Sequence, residues 1–368
     1  MRTESGPVFY FVTGATGWVG RHVVRELAQR GEGEVRVAVR ARARSAADRF
    51  SDLLAFAKPS RPTRLVEFSS SVADVLPHDT THVVHCAGLA SIWNERALLA
   101  ANVGATWDLL TAASRLSGLR RFVHVSTLLV RTDCEHPFTE DMLEAGQSHL
   151  SAYSLTKLLG EIAVRRFYKL LPSTVIRVGS ALAPTSMEAV NLEDWFHRTV
   201  SLWLEGRITY IPLSKRQRFY PVPVDVLASA MAHVIHSLSA PPVLHLPFEA
   251  GPTVQDAFQR MAESAGVRPP GMCCQNTGTW RQHCLGLPPT VRRMLACLYP
   301  PTRGNRGLAK VLSSRSRHWF TREGVRVPSI ASTYWGRLAQ TIQRVYLCSR
   351  PRDGSTASSR ESGSVEAP

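Results

Sequence analysis

The segment that most constrains this chain is Thr13-Gly14-Ala15-Thr16-Gly17-Trp18-Val19-Gly20, which directly follows the apolar run Val8–Val12. A strand that must turn at once into a helix needs glycines at fixed offsets: Gly14 permits the tight turn, Gly17 lets the backbone approach a pyrophosphate, and Gly20 allows the helix to pack closely on the strand. Thr16, Trp18 and Val19 belong to the same turn and count with the glycines as candidate cofactor contacts. The helix that opens here presents unpaired N–H groups and the positive end of its dipole to a bound anion. A glycine needed only for helix–strand packing would give the same spacing, so the weight of the motif comes from its place in the pattern that follows.

That pattern is an alternation of strand-like and helix-like segments over the first 180 residues. Strands are expected at Val8–Val12, Val35–Val39, Arg64–Phe68, His82–His85, Phe122–Val125 and Thr174–Val178, with helices at Trp18–Gln29, Ala46–Ala57, Glu95–Leu116 and Ala152–Leu171. Such alternation predicts an α/β protein, a Rossmann-type doubly wound parallel sheet with a smaller C-terminal substrate-binding region. The expected division is residues 1–180 as the NAD(P)-binding domain and 181–349 as a mixed substrate-binding region, of which 219–238 returns to the first domain. After Gly179 the regularity breaks, and Trp195, Phe196, Trp203, Phe219 and Tyr220 fall in segments that read as loops and short helices. Asp225 stands where it would cap the helix Val226–His236. Residues 350–368, rich in Ser and Gly, read as a disordered tail.

No apolar run approaches the roughly 18 residues that span a bilayer, and Met1-Arg2-Thr3-Glu4 leads into the first strand without a signal-peptide core, which predicts a cytoplasmic protein with no transmembrane segment. The seven cysteines are odd in number and scattered, so no disulfide framework is expected. Cys273, Cys274, His283 and Cys284 could supply soft ligands, but their spacing matches no zinc pattern, and no metal is expected. The formal charge of +15 is concentrated: residues 268–352 carry 15 Lys/Arg against one acid. A stretch of this kind suits an anionic partner, such as an acidic carrier protein or a phosphate-bearing substrate, and equally a solvated basic surface. No nucleic-acid-binding motif accompanies it, so no nucleic acid is expected.

The second strand ends Ala38-Val39-Arg40-Ala41-Arg42-Ala43-Arg44, where a protein selective for NAD would place an acid against the ribose 2′-hydroxyl. Arg40 can instead form a charge-assisted fork with a 2′-phosphate, which predicts NADPH, with NAD as the alternative. The fifth strand ends Val125-Ser126-Thr127, and 26 residues later comes Tyr153-Ser154-Leu155-Thr156-Lys157, with Tyr and Lys one helical turn apart on one face. An ammonium beside a phenol lowers its pKa toward neutrality, so Tyr153 could give a proton to a carbonyl oxygen while hydride arrives from a nicotinamide. Thr127 would hold the same oxygen by a hydrogen bond.

With these residues the chain resembles the extended short-chain dehydrogenase/reductases, the NAD-dependent epimerase/dehydratase-like proteins. The resemblance rests on Thr13–Gly20, His85-Cys86-Ala87-Gly88, Asn102-Val103-Gly104-Ala105-Thr106 and the triad Thr127, Tyr153, Lys157, and covers about residues 8 to 265. It implies that Ala87, Tyr153 and Lys157 also contact the cofactor. Three stretches, Val39–Arg42, Phe122–Thr127 and Tyr153–Glu161, are similar to the thioester reductase and fatty acyl-CoA reductase branch. Ser69-Ser70-Ser71 departs from the family's usual Gly-Asp after the third strand, and Ala87-Gly88 from a more usual Ala-Ala.

The resemblance implies NADPH-dependent reduction of an acyl thioester, bound to coenzyme A or a carrier protein, to aldehyde or alcohol. A ketone reductase or secondary alcohol dehydrogenase, such as one acting on 3-beta-hydroxysteroids, is the alternative and fits the same triad. A nucleotide-sugar epimerase or dehydratase is disfavoured because Leu128 and Leu129 stand where dehydratases of the family place acids. A non-catalytic NADP-sensing protein would tend to lose the Tyr/Lys pair. A homodimer is compatible with the resemblance.

Overall fold

The computed structural model describes residues 6–30, 33–41, 44–90, 94–131, 136–147, 149, 151–213, 215, 217, 220–247, 251–272, 278–289, 291, 292, 295 and 310–349. The alternating first part forms β1 (Phe9–Thr13), α1 (Trp18–Arg30), β2 (Glu34–Arg40), α2 (Ala46–Ala57), β3 (Thr63–Phe68), β4 (His82–His85), α3 (Glu95–Leu99), α4 (Ala105–Ala113), β5 (Arg121–Thr127), α5 (Ala152–Arg166) and β6 (Ser173–Val178). All six expected strands are present within a residue or two of their expected bounds. A seventh, β10 (Val243–Leu246), completes a parallel sheet of order β10-β6-β5-β4-β1-β2-β3. The order reverses at β1, which lies between β2 and β4, and the crevice at the carboxyl ends of these strands is where such sheets bind ligands.

Successive strand residues point to opposite faces, and each face has its own core. Tyr10 and Val12 join Val23, Val24 and Leu27 of α1 on one side, while Phe11, Val83 and Phe122 meet Leu109 and Leu110 of α4 and Val164 of α5 on the other. Each such aliphatic side chain of α1 contributes about 1.5–3 kcal/mol by leaving water, which is why α1 holds without an acidic residue in its first turn.

The remaining elements are β7 (Ser180–Leu182), α6 (Trp195–Leu204), β8 (Tyr210–Ile211), β9 (Pro221–Pro223), α7 (Val224–His236), β10 (Val243–Leu246), α8 (Val254–Ala265), β11 (Gly271–Met272), α9 (Gly278–Leu285), α10 (Ser314–Arg322) and α11 (Ser332–Ser349). A further core joins Phe196, Val200 and Trp203 of α6 to Phe258 and Met261 of α8 and to Trp335 and Leu338 of α11. Helix α7 packs in the sheet core instead, and so does α10 through Trp319 and Phe320. The chain therefore crosses from the sheet to the second core and back more than once.

Three local expectations give way. The helix expected over Glu95–Leu116 is broken into α3, a π-helical turn at Ala100–Gly104 and α4. The wide turn carries Asn102 into the interior, and α5 approaches so closely that a Cβ on Gly160 would lie 2.8 Å from the Asn102 carbonyl oxygen. Helix α5 stops at Arg166 rather than Leu171, closing in a turn on the Phe167 carbonyl. Asp225 does not cap α7, which starts at Val224, two residues before the expected start; Pro223 is the capping residue and makes no side-chain bond. The Asp225 carboxylate instead accepts the Thr185 N–H at 3.0 Å and the Thr185 hydroxyl, tying α7 to the segment after β7. Phe219, Cys273, Cys274 and the expected tail at 350–368 lie outside the described residues.

Candidate active site

At the end of β1, Gly14 has φ +67°, and a Cβ there would lie 2.5 Å from the Ala87 nitrogen. The first turn and the end of β4 are thus pressed together through a residue with no side chain. The Gly17 N–H donates to the Gly14 carbonyl at 3.0 Å, and a Cβ on Gly20 would lie 2.1 Å from that same oxygen, so α1 sits directly on the turn. The outer side of Gly17 meets nothing nearer than that oxygen at 3.2 Å. First-turn N–H groups of a helix have no acceptor within it, so this cradle fits a pyrophosphate.

The cradle's side chains are held from several directions. Thr13 Oγ1 accepts the Ala87 N–H at 3.3 Å and lies 2.7 Å from His85 Nδ1, and His85 Nε2 is 3.0 Å from the Thr106 hydroxyl. Val19 packs against the sheet core. The Trp18 indole N–H reaches across to the Ala181 carbonyl at 2.9 Å, and Arg21 stacks on the indole ring. Arg40 stands exposed at the end of β2; its guanidinium donates to the Ser70 carbonyl at 2.7 Å and lies over the Phe68 ring. Arg49 of α2 donates to the Thr16 hydroxyl and to the Arg40 carbonyl. Two guanidinium groups therefore flank this rim, and among the described residues no carboxylate is bonded to Arg40. The sequence signal for Arg49 was its place in the first turns of α2, four residues beyond the Ser45 cap. Ser71, at the departure from Gly-Asp, caps a short 3₁₀ turn by accepting the Ala73 N–H.

At the end of β5 the structure brings Thr127 and Tyr153 together, the threonine side chain facing the phenol and acting to lower its pKa. Ser151 caps α5 by accepting the Ser154 N–H at 3.2 Å, which sets the helix start at Ala152, one residue before Tyr153. Asn102 ties this helix to the loop after β4: it exchanges bonds with Leu89 at 2.8 and 3.0 Å and donates to Thr156 Oγ1 at 3.1 Å. A Cβ on Gly88 would lie 3.1 Å from Asn102 Oδ1 and 3.7 Å from Lys157 Nζ, so the smaller residue at this departure from the family pattern relieves crowding beside the lysine.

Lys157 is where expectation and geometry part. Its ammonium donates to the Val125 carbonyl at 2.6 Å rather than to the phenol. Burial lowers Lys157 to about 8, while Glu161 and Cys86 act to raise it. Tyr153 is not lowered toward neutrality: burial pushes it up to about 12, Asp194 adds to the rise, and only the Thr127 side chain opposes them. The phenol at rest is protonated because burial disfavours its charged form, and the ammonium is turned to the Val125 carbonyl of β5. Beneath them lie His85, lowered to about 3 by burial and by Lys157, and His124, whose ring nitrogens have no hydrogen-bond partner among the described residues.

Further contributors were not legible beforehand. Asp194 caps α6 by accepting the Phe196 and His197 N–H groups at 2.9 and 3.3 Å. His197 is held neutral: its Nδ1 faces the Asn191 carbonyl at 3.1 Å and its Nε2 accepts the Ala183 N–H at 3.2 Å, while burial lowers its pKa. Arg131, in the short turn after Thr127, is buried, donates to the Leu128 carbonyl at 2.9 Å, and has no carboxylate partner among the described residues. Among those residues no helix is long and apolar enough to cross a membrane.

Comparison with known proteins bears on this geometry. The profile of the family described as Male sterility protein, an NAD-binding family, matches residues 12–231. The chain is 30% identical over 265 residues to the isonitrile lipopeptide synthase of Mycobacterium tuberculosis (strain ATCC 25618 / H37Rv), an alignment covering 60% of this chain and 10% of that protein. It thus spans about a tenth of that relative's length. Among solved structures, the terminal R domain from the myxalamid PKS-NRPS biosynthetic pathway superposes with TM-score 0.74 at 19% identity, covering 93% of each chain. A thiolation-reductase di-domain from an archaeal non-ribosomal peptide synthetase gives 0.76 at 16% identity, covering 93% of this chain and 76% of that one. The UDP-glucuronic acid 4-epimerase from Bacillus cereus, in complex with UDP-glucuronic acid and NAD, gives 0.68 at 18% identity over 92% and 100%. At these identities the superpositions establish the shared fold.

Proposed function

This chain belongs to the male sterility protein family and is thereby an NAD(P)-dependent oxidoreductase of the extended short-chain dehydrogenase/reductase kind; from that premise we propose that it reduces an acyl thioester, carried on coenzyme A or a carrier protein, with NADPH as reductant. The observation that carries the chemistry is the juxtaposition of the Thr127 side chain and the Tyr153 phenol at the carboxyl end of β5, with Lys157 one turn behind. Support for a thioester comes from the fold shared with reductase domains of assembly-line synthetases, one of them joined to a thiolation domain.

Gly14, Thr16, Gly17, Trp18, Val19, Gly20 and Ala87 would hold the pyrophosphate half of the cofactor, and Arg40 with Arg49 its 2′-phosphate. When bound, NADPH supplies a hydride to the substrate's carbonyl carbon. The Thr127 hydroxyl and the Tyr153 phenol hold the carbonyl oxygen. As the C–H bond forms, that oxygen gains the carbonyl electron pair and takes the phenolic proton, giving a hemithioacetal. Collapse of the hemithioacetal breaks the C–S bond, releasing the aldehyde and one thiol; a second hydride would carry the aldehyde to the alcohol. Donation is favoured by a phenol that is fully protonated at rest, and the cost of the phenolate left behind falls when the Lys157 ammonium faces it.

The basic stretch at 268–352 would steer an acidic carrier or the phosphates of coenzyme A toward the site. The test follows NADPH absorbance and free thiol in parallel, with medium- and long-chain acyl groups on coenzyme A and on a carrier, between about 0.05 and 0.5 M salt, over which the Debye length falls by roughly a factor of three. One thiol should appear per acyl group reduced, and the KM for the carrier should climb with salt. Oxidation of NADPH by a panel of ketones but by no thioester would assign the protein to ketone or secondary alcohol chemistry.

A further inference from the structure

Thr127 and Tyr153 lie at the two ends of a long excursion of the chain, yet the reaction needs their hydroxyls on one oxygen. Three consecutive residues of β5 grip α5 to bring this about. The Val125 carbonyl accepts the Lys157 ammonium at 2.6 Å, the Ser126 hydroxyl donates to Glu161 Oε1, and the Thr127 side chain faces the Tyr153 phenol. Tyr153, Lys157 and Glu161 follow at intervals of four residues, so each grip falls on the same side of the helix.

Glu161 is fully buried, and so is its partner Arg177 of β6, with Nη2 to Oε2 at 2.8 Å and Nε to the two carboxylate oxygens at 3.1 and 3.0 Å. The other N–H groups of Arg177 donate to the Thr139 and Met142 carbonyls at 3.2 and 2.7 Å, both on the excursion between Thr127 and Tyr153. Nη1 also lies 3.3 Å from His245 Nε2, and His245 Nδ1 lies 3.1 Å from the Ser313 hydroxyl just before α10. One guanidinium thus clamps the catalytic helix, the excursion that leads into it and a strand joined to the returning C-terminal segment.

We propose that Glu161 and Arg177 are a positioning pair: together with Ser126 they fix α5 against β5 so that Thr127, Tyr153 and Lys157 share one reacting geometry. The proposal rests on the reading of those three residues given above. A buried ion pair that served stability alone could be exchanged for apolar residues of similar size at little cost, whereas removing one partner strands a buried charge. Misplacing reacting groups by about 1 Å costs up to about a hundredfold in rate. The pair also acts on charge, since Glu161 opposes the burial that lowers Lys157 to about 8. The other titratable groups facing the ammonium are Cys86, whose thiol is held up near 12, and the neutral His85 and His124.

Three variants test this: Ser126→Ala, Glu161→Gln, and the double variant Glu161→Leu/Arg177→Met, which removes both charges. Each is measured for melting temperature, for kcat and KM with NADPH and decanoyl-coenzyme A, and, without substrate, for the NMR titration of Lys157 assigned through Lys157→Arg. The expected result is a folded double variant whose kcat falls about ten- to a hundredfold with KM within about twofold. Ser126→Ala should lower kcat and leave the Lys157 midpoint in place, while Glu161→Gln moves that midpoint below about 8. A folded double variant turning over within about threefold of the parent overturns the proposal, and should that variant not fold, Ser126→Ala with parental kcat does so. A Lys157 midpoint unmoved by Glu161→Gln overturns it without any substrate. If Tyr153→Phe retains turnover, the catalytic reading itself has failed; if Tyr153→Phe is inactive while the pair variants match the parent, only the positioning role has.

Discussion

Around Gly14 the site is made of backbone, whereas around Tyr153 it is made of buried side chains. The cradle is shaped by glycines whose missing Cβ atoms let β1, α1 and the end of β4 touch, and its parts lie within a dozen residues of one another except for Ala87. The proposed acid–base side draws Thr127, Tyr153, Lys157 and Glu161 from β5 and α5, Arg177 from β6, Asn102 from a π-helical turn and Asp194 from the cap of α6. A backbone cradle tolerates little change in shape but asks nothing of distant groups. A site of buried polar side chains depends on every partner being present, because each unpaired donor or charge in the interior carries its full desolvation cost.

The largest expected effect separates the two sides by chemistry. Tyr153→Phe should lower kcat by about a hundred- to ten-thousandfold while NADPH affinity, measured by fluorescence titration, stays within about twofold. Turnover near that of the parent would mean that another group gives the proton.

Next comes a contrast within the glycines. Gly14 and Gly206 share a positive φ, +67° and +71°, but a Cβ on Gly206 would meet nothing within 4 Å. Gly206→Ala should cost about 1–2 kcal/mol, the penalty of the left-handed conformation alone. Gly14→Ala should cost about 3 kcal/mol or more, because the added methyl meets backbone of Cys86 and Ala87, and should weaken NADPH binding as well. Equal losses by urea denaturation would show that the cradle yields more easily than its close contacts imply.

On cofactor binding, the effects at the rim are smaller than that of Tyr153→Phe on turnover. Arg40→Ala and Arg49→Ala should each weaken NADPH by about ten- to a hundredfold, or 1.5–3 kcal/mol, and leave NADH nearly unchanged. An Arg49 variant that binds NADPH as the parent does would return the phosphate to Arg40 alone. If the unmodified protein bound both cofactors equally, the rim would have no part in selectivity.

The sequence by itself determined what is local. The β1 turn, the six strands, Arg40 at the end of β2, and the Tyr153–Lys157 spacing follow from glycine stereochemistry, apolar alternation and helical period, all of which act over a few residues. The tertiary structure decided what depends on neighbours far along the chain. The expected helix over Glu95–Leu116 broke because Asn102 is drawn inward to Leu89 and Thr156. Asp225 left the cap of α7 because Thr185 offered both an N–H and a hydroxyl. Strand β10 and helix α10 joined the sheet because the edge of β6 and the apolar face beneath it needed covering, and nothing in their own short sequences marks that destination. Tyr153 sits near 12 rather than near neutrality for the same reason: spacing puts a lysine one turn away, but burial and the pull of the Val125 carbonyl decide where its charge points.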